Sequence, residues 1–345
     1  MDVRIGNLDC GTMSGSDCLV TCTSWTAAPT MISPPPPGVY VPAVLFFDEH
    51  EELDIAAIKA HVLRLAQGGV AGILVQGSNG EAQHLSQEEK KQAISVTRIT
   101  LDENGFKDVV VIAGTGAPST RETKKLNVDA HEAGATYALV LTPGVWPKLM
   151  TLDNILRFHR EVADASPIPT MVYNFPGVTA GIDLDSDAIL ELAKHPNIVG
   201  TKLSCGNIGK IQRVTSTLPP CTFATYPGRS DVFIHGLNAG AAGVTSALVN
   251  IVPKLHAKLY RLWKAGRAQE AMELQARLGH GEWAASKVGG IGGIKAVVAK
   301  HFGYGRGYVR GPLKAVDDDK LVQHKYYQTL VDLIEDENRC DLSQF

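Results

Sequence analysis

Eight short apolar runs, at residues 39–44, 72–75, 109–113, 137–141, 170–173, 198–201, 222–225 and 243–246, alternate with longer segments of helical periodicity, and no other feature of this chain restricts its fold as much. Strand runs that are apolar on both faces and separated by helices belong in a parallel sheet covered on both sides. The segments between them read as amphipathic helices, as at 54–67, 86–103 and 119–133, and Ser86 with Glu89 and Ser119 with Glu122 stand at capping-box spacing. Eight β-α units in one array, with no long linker or change of composition, predict an α/β fold of the closed (β/α)8 TIM-barrel type rather than an open doubly wound sheet. A barrel needs roughly 250 residues, and this chain has 345. Three further helical stretches, at 252–264, 267–278 and 294–302, therefore read as a C-terminal helical appendage. The organisation expected is a disordered leader over 1–38, a catalytic barrel over 39–250, helices packed on the barrel over 251–316, and a surface helix or frayed tail over 317–345.

Charge removes several classes of function. With 33 basic and 36 acidic side chains and no block of one sign, the chain has no electrostatic footprint for nucleic acid or anionic lipid. Its longest charge-free stretch, 18–47, is broken by Pro29, by Pro34 to Pro37 and by Pro42, which rules out a spanning helix. The leader holds Arg4 against Asp2, Asp9 and Asp17, the wrong sign for a mitochondrial transit peptide, and it lacks a basic n-region for secretion. Cys10, Cys18, Cys22, Cys205, Cys221 and Cys340 are scattered without a CxxC or a nearby His pair. Neither a disulfide framework nor a zinc site is expected, and the cytoplasm is the expected compartment.

In a barrel the chemistry sits at the C-terminal ends of the strands. The second run leads into Gly77-Ser78-Asn79-Gly80-Glu81, where glycines allow close approach and Ser78 and Asn79 offer donors beside free N–H groups at an expected helix start. Such a turn suits a carboxylate or phosphate, although a plain Gly-rich loop reads the same way. The fifth run ends in Tyr173-Asn174-Phe175-Pro176; a phenol at a strand mouth is most often packing. The sixth run ends in Gly200-Thr201-Lys202. Most lysines after strands point to solvent, but one drawn into a barrel mouth without a partner is held toward the neutral amine that attacks carbonyls. An anion cradle, a phenol and an amine at three mouths of one barrel suit carbonyl chemistry on a 2-oxo acid.

The combination Gly77-Ser-Asn-Gly-Glu81, Pro169-x-x-x-Tyr173-Asn-x-Pro176, Gly200-Thr-Lys202 and Gly228-x-x-Asp231, followed by Ala239-Gly-Ala-Ala-Gly-Val-Thr-Ser246, resembles the dihydrodipicolinate synthase/N-acetylneuraminate lyase family over about 39–302. The resemblance implies a class I, metal-independent Schiff-base mechanism with no cofactor, and a homotetramer. Carried over by position, it makes Lys202 the imine-forming lysine and Tyr173 the phenol that shuttles protons. It likewise assigns Ser78 and Asn79 to the carboxylate of the 2-oxo acid, and Ser204 and Gly228 to the pocket lining. Two departures bear on substrate. Where the synthases of this family carry an arginine for the aldehyde's carboxylate, this chain has Val178, and where they carry a tyrosine pair after Thr-Pro it has Thr142-Pro143-Gly144-Val145-Trp146. The Ser-Asn cradle resembles 4-hydroxy-2-oxoglutarate and 2-keto-3-deoxy acid aldolases. The expected reaction is reversible cleavage of such an acid to pyruvate plus an aldehyde. The alternatives are condensation of pyruvate with aspartate semialdehyde and, from another class, a non-catalytic barrel that binds a 2-oxo acid. The pocket around Val178, Trp146 and Ser204 is expected to decide the aldehyde.

Other features carry less. Gly114-Thr-Gly-Ala-Pro-Ser119 lacks the ending of a nucleotide loop and reads as a βα turn. Gly289-Gly-Ile-Gly-Gly293 reads as a flexible helix–helix connection, and Met272 with 274–278 as core or interface packing. Single histidines such as His131, His159, His195, His235 and His280 lack the spacing of paired metal ligands and read as exposed helical surface.

Overall fold

Parallel pairing is what the two-faced apolar runs demand, because a strand buried on both sides needs helices over each face. The structure, a computed structural model, describes residues 33–344. Among these residues eight strands alternate with helices: β1 (Gly38–Pro42), α1 (Ile55–Gln67), β2 (Gly72–Val75), α2 (Gln87–Glu103), β3 (Val110–Gly114), α3 (Thr120–Glu132), β4 (Tyr137–Leu141), α4 (Leu152–Ala165), β5 (Thr170–Asn174), α5 (Ser186–Leu192), β6 (Ile198–Leu203), α6 (Ile208–Thr215), β7 (Ala224–Pro227), α7 (Phe233–Asn238) and β8 (Gly243–Thr245). All neighbouring pairs in the order β7-β6-β5-β4-β3-β2-β1-β8 are parallel. At the remaining seam, between β7 and β8, Ala242 N donates to Thr225 O at 3.0 Å, so the barrel is nearly closed.

Local chemistry starts the helices. Ser86 and Glu89 form the reciprocal capping box before α2, with Ser86 N donating to Glu89 Oε2 at 2.7 Å and Glu89 N to Ser86 Oγ at 3.2 Å. At α3 only half of the box forms: Ser119 Oγ accepts from Glu122 N, while the Glu122 carboxylate accepts from Gln87 Nε2 on the preceding helix. The barrel interior is filled by Tyr40, Leu74, Ile112, Leu139, Met171 and Val199, with Tyr226 edge-on to Tyr40 at 5.0 Å between ring centroids.

Several expectations are corrected. Residues 1–32 of the expected leader lie outside the described residues, but 33–38 are ordered: Pro35 and Pro36 carbonyls accept the Tyr226 hydroxyl, Pro36 also accepts that of Tyr40, and Gly38 opens β1. The seventh strand starts at Ala224 rather than 222, because Thr222 and Phe223 are held in a turn by Pro219 O. The first helices of the appendage are α8 (Pro253–Lys264) and α9 (Ala268–Lys287), the second running nine residues past its expected end at 278. The extension runs through Gly279 and Gly281, and glycine in a helix interior costs about 1 kcal/mol. At Gly281 packing overrides this, since a Cβ there would meet Leu248 Cδ2 at 2.9 Å and also Leu333. The Gly289–293 run is not a flexible connection: α10 (Gly290–Phe302) starts inside it, after Gly289 turns the chain at φ 116°. Leu274 and Leu278 are buried, whereas Met272 is exposed.

Nor does the end of the chain fray. It forms α11 (Asp318–Gln323) and α12 (Tyr327–Arg339), which bury Leu321, Leu330, Leu333 and Ile334. Glu337 accepts the N–H groups of Lys254 and Leu255, both at 2.9 Å, and so caps α8 in trans. Burial outweighs these bonds and raises the Glu337 carboxyl from 4.5 to about 7. A carboxyl raised in the folded state contributes stability that is full below the unfolded value and lost as pH rises through the folded one. Glu337→Gln should therefore remove part of the stability difference between pH 5 and pH 8 that denaturant titrations of the wild type show. An unaltered pH dependence would contradict the assignment.

Of the histidines expected on the surface, His131, His235 and His280 are exposed and His195 is half-buried, but one departs. His159 is buried with Nε2 3.3 Å from Thr142 Oγ1, and burial lowers it to about 3. His61 and His256 are buried as well.

Candidate active site

The direction of Lys202 depends on one extra residue in β6. Along the β5/β6 ladder Thr170 pairs with Ile198 but Met171 pairs with Gly200, which leaves Val199 unmatched. A bulge of this kind shifts side-chain phase by one position. Val199 faces the barrel interior, as strand alternation requires; beyond the bulge Lys202 also faces inward, directly beside its register partner Tyr173, while Leu203 packs outward on α5 and α6. Gly200 permits this, since a Cβ there would lie 2.5 Å from Ala224 O. The strand continues to Leu203, so Lys202 lies within it and not after it.

Lys202 is buried, and its Nζ sits 4.4 Å from the centre of the Tyr173 ring. Both line a cavity of about 140 Å³ together with Ser78, Asn79, Ser204 and Gly228. All six residues singled out in the sequence thus meet in one place. Ser204 N donates to Asn174 O, and Gly228 N to Leu203 O, which holds these loops against the ends of β5 and β6. A Cβ on Gly228 would collide with Ser204, so the two loops touch only because residue 228 lacks one. Asn174 extends the support: its side chain donates to Asp183 at 2.7 Å and accepts Leu184 N at 2.9 Å, which fixes the segment after Tyr173.

Ser78 and Asn79 begin a 3-10 turn, Ser78–Gly80, rather than an α-helix; α2 starts only at Gln87. The first N–H groups of such a turn have no partner inside it and are free for an anion. On either side of the turn Gln76 and Glu81 are left-handed, at φ 48° and 54°, conformations that cost of order 1–3 kcal/mol each and persist only where the surroundings enforce them. At Glu81 the enforcement is visible. Its carboxylate pairs with Lys295 of α10, both side chains being fully buried, and accepts Arg310 N at 3.0 Å and His84 Nδ1 at 3.1 Å.

The cavity also contains residues that sequence reasoning missed: Pro42, Phe175, Arg229, Ala247 and Glu282. Arg229 is bound through its Nε to Asp231 at 3.0 Å, which gives the Gly228-x-x-Asp231 motif a local role. Glu282 comes from the part of α9 beyond its expected end, so no local signal marked it. Burial raises its carboxyl above the ordinary value. Beside the cavity and sharing Ser78 and Tyr173 with it, a groove of about 270 Å³ runs past Gln76, His84 and Val178. Val178 and Val145 line a further recess, whereas Trp146 is exposed and reaches none of these spaces, contrary to expectation. Among the described residues no group of three or more His, Cys, Asp or Glu side chains is placed to hold a metal ion, and no helix is long and apolar enough to cross a membrane. Cys205, Cys221 and Cys340 are free thiols; Cys10, Cys18 and Cys22 lie outside the described residues.

Comparison with known proteins matches residues 35–330 to the model of the dihydrodipicolinate synthetase family. A protein of Emericella nidulans named as a probable mitochondrial 4-hydroxy-2-oxoglutarate aldolase is 48% identical over 78% of this chain and 87% of its own. An L-threo-3-deoxy-hexylosonate aldolase of Aspergillus niger is 42% identical over 80% of this chain and 89% of its own. Among solved structures, a dihydrodipicolinate synthase family protein from Coccidioides immitis superposes with a TM-score of 0.78 at 35% identity, covering 89% of this chain and 99% of its own.

Proposed function

Since this chain belongs to the dihydrodipicolinate synthetase family, we propose that its barrel cleaves a 4-hydroxy-2-oxo acid or a 2-keto-3-deoxy sugar acid through an imine on Lys202. At the coarser level the chain is a pyruvate-type aldolase, a carbon–carbon lyase acting on small 2-oxo acids. The observation that carries the finer reading is the pairing of Lys202 with Tyr173 across the β5/β6 ladder in a cavity that also holds the Ser78-Asn79 turn.

In this reading the turn binds the substrate carboxylate and presents C2 to Lys202. Attack and loss of water give an iminium, Tyr173 takes the proton of the C4 hydroxyl, and C3–C4 scission sends its electron pair into the iminium. The protonated nitrogen is the electron sink, so the mechanism requires neither a metal nor a cofactor. Protonation at C3 and hydrolysis release pyruvate. Tyr173→Phe should lower kcat by roughly 10²-fold or more if the phenol moves these protons; stopped assays with pyruvate detection check this, and an unchanged rate removes Tyr173 from the mechanism.

Substrate choice follows from the groove beside the cavity. Val178 lines it where the synthases' arginine would offer a cation to a second carboxylate, which disfavours condensation with aspartate semialdehyde. The deciding experiment offers the enzyme 4-hydroxy-2-oxoglutarate, 2-keto-3-deoxy hexonates and N-acetylneuraminate, with and without EDTA, alongside pyruvate plus aspartate semialdehyde. Pyruvate release from one of the first two classes, insensitive to EDTA, is expected. Turnover of the semialdehyde mixture alone would overturn the reading, and no turnover with any substrate would favour a binding barrel. A homotetramer is proposed on the family resemblance, to be checked by sedimentation. Cytosolic residence is proposed on the acidic charge of residues 1–38 and stands against the word mitochondrial in the names of two relatives; imaging of the tagged full chain decides between them.

A further inference from the structure

The lining of the Lys202 cavity includes a carboxyl group that the mechanism above does not use. Glu282 Oε2 lies 2.8 Å from Ser246 Oγ; Ser246 Oγ lies 2.6 Å from Ser230 Oγ; and Ser230 Oγ lies 2.8 Å from His256 Nε2. At the far end His256 Nδ1 stands 2.7 Å from Val252 O. A carbonyl only accepts, so Nδ1 carries a proton. His256 is buried and lowered to about 4, so it is neutral near pH 7 and its Nε2 accepts.

Counting protons from that end leaves one solution. Ser230 spends its single hydroxyl proton on Nε2. The contact between the serines must then be made by the proton of Ser246. Ser246 has none left for Glu282, so the last contact needs a proton on the carboxyl itself. Burial, which raises the Glu282 carboxyl, works in the same direction. Among the described residues Oε1 takes no hydrogen bond, so it remains open to a bound molecule.

We propose that Glu282 is a catalytic acid of this site, a neutral carboxylic acid that hands its proton to the hydroxyl leaving C2 when Lys202 forms its imine. This rests on the imine reading of Lys202. After the amine adds to the C2 carbonyl, the carboxyl gives up its Oε2–H bond to Ser246 and passes that proton to the carbinolamine hydroxyl; the C2–O bond breaks, water departs, and the nitrogen lone pair closes the C=N bond. The products are an iminium cation and the Glu282 carboxylate beside it. Once the carboxyl is ionised, Ser246 turns to donate to it, joining Ser230 N at 3.3 Å, so both protonation states have partners. Hydrolysis of the imine returns the proton. The site thereby divides its proton transfers, with Tyr173 left for the C4 hydroxyl and C3, and the position after Thr142-Pro143, which lacks a phenol, is not needed.

The test is the rate at which borohydride with pyruvate traps Lys202, followed by mass spectrometry across pH. The charged and titratable groups around Glu282 are Lys202 and Tyr173 at the cavity, Arg229 and Asp231 on the loop after β7, and His256 on α8. Glu282→Gln keeps a donor toward Ser246 and should fold like the wild type, yet imine formation should slow by roughly 10²-fold and the alkaline limb of its pH profile should vanish. Ser230→Ala leaves the carboxyl in place but removes the Ser246–Ser230 hydrogen bond that the wild type must give up when Ser246 turns to the carboxylate; ionisation then costs less, and the limb should move to lower pH. Trapping at the wild-type rate in Glu282→Gln, or an unmoved limb in Ser230→Ala, overturns the proposal. If wild-type enzyme is not trapped at all, the imine reading of Lys202 fails instead.

Discussion

Lys202→Ala is expected to abolish reductive trapping with pyruvate and to reduce aldol cleavage by on the order of 10⁶-fold, the scale seen when a covalent nucleophile is removed. The size follows from what Lys202 would supply. It is the one primary amine among the cavity's lining residues, and without an iminium the C3–C4 electron pair has no acceptor. Lys202→Arg separates nucleophilicity from side-chain bulk: it keeps a long nitrogen-bearing side chain beside Tyr173 but cannot form the imine, so it should fail equally. Pyruvate detection on the preferred substrate and intact-mass analysis after borohydride read both variants. Turnover at the wild-type rate in either would end the Schiff-base mechanism, whatever the barrel binds.

Lys295→Ala should give the largest loss of stability. Lys295 and Glu81 are each fully buried and paired, and Lys295 also donates to Tyr308 O at 2.9 Å. Removing one member of a buried pair leaves the other charge uncompensated and costs about 3–5 kcal/mol. Replacing both with apolar residues of similar size, as in Glu81→Leu with Lys295→Met, should recover most of that loss, because the pair's attraction mainly offsets its own desolvation. Urea titrations of the single and double variants measure the difference. The pair also holds Glu81 left-handed at the end of the Ser78-Asn79 turn, so the double variant should keep its stability yet show a raised KM for the 2-oxo acid. A single variant as stable as the wild type would mean that the pair bears no net load.

The alternation of runs was enough to read the barrel, because burial on both faces leaves a parallel sheet few other solutions. The motif residues were legible because each stands at a strand end, where a short range of sequence decides position. Glu282 was not, since its nearest neighbours in sequence are helix residues and its partners Ser230 and Ser246 come from two other segments. The long α9 and the docked tail were hidden for a related reason: Gly281 is unfavourable in an isolated helix and becomes favourable only against Leu248 and Leu333. The buried histidines show the same limit, because a hydrogen bond to a distant carbonyl or hydroxyl leaves no periodic trace.

By itself the sequence determined the class of fold, the strand ends whose residues meet in one cavity, and the residue types present there, since these follow from periodicity and local turn preferences. Only the tertiary structure decided where Lys202 points. A strand sends alternate side chains to opposite faces, and a single unmatched residue, Val199, exchanges those faces. That bulge exists because the β5 backbone, the carbonyl of Ala224 and the absence of a side chain at Gly200 fit together, a relation among three strands that no one of them contains.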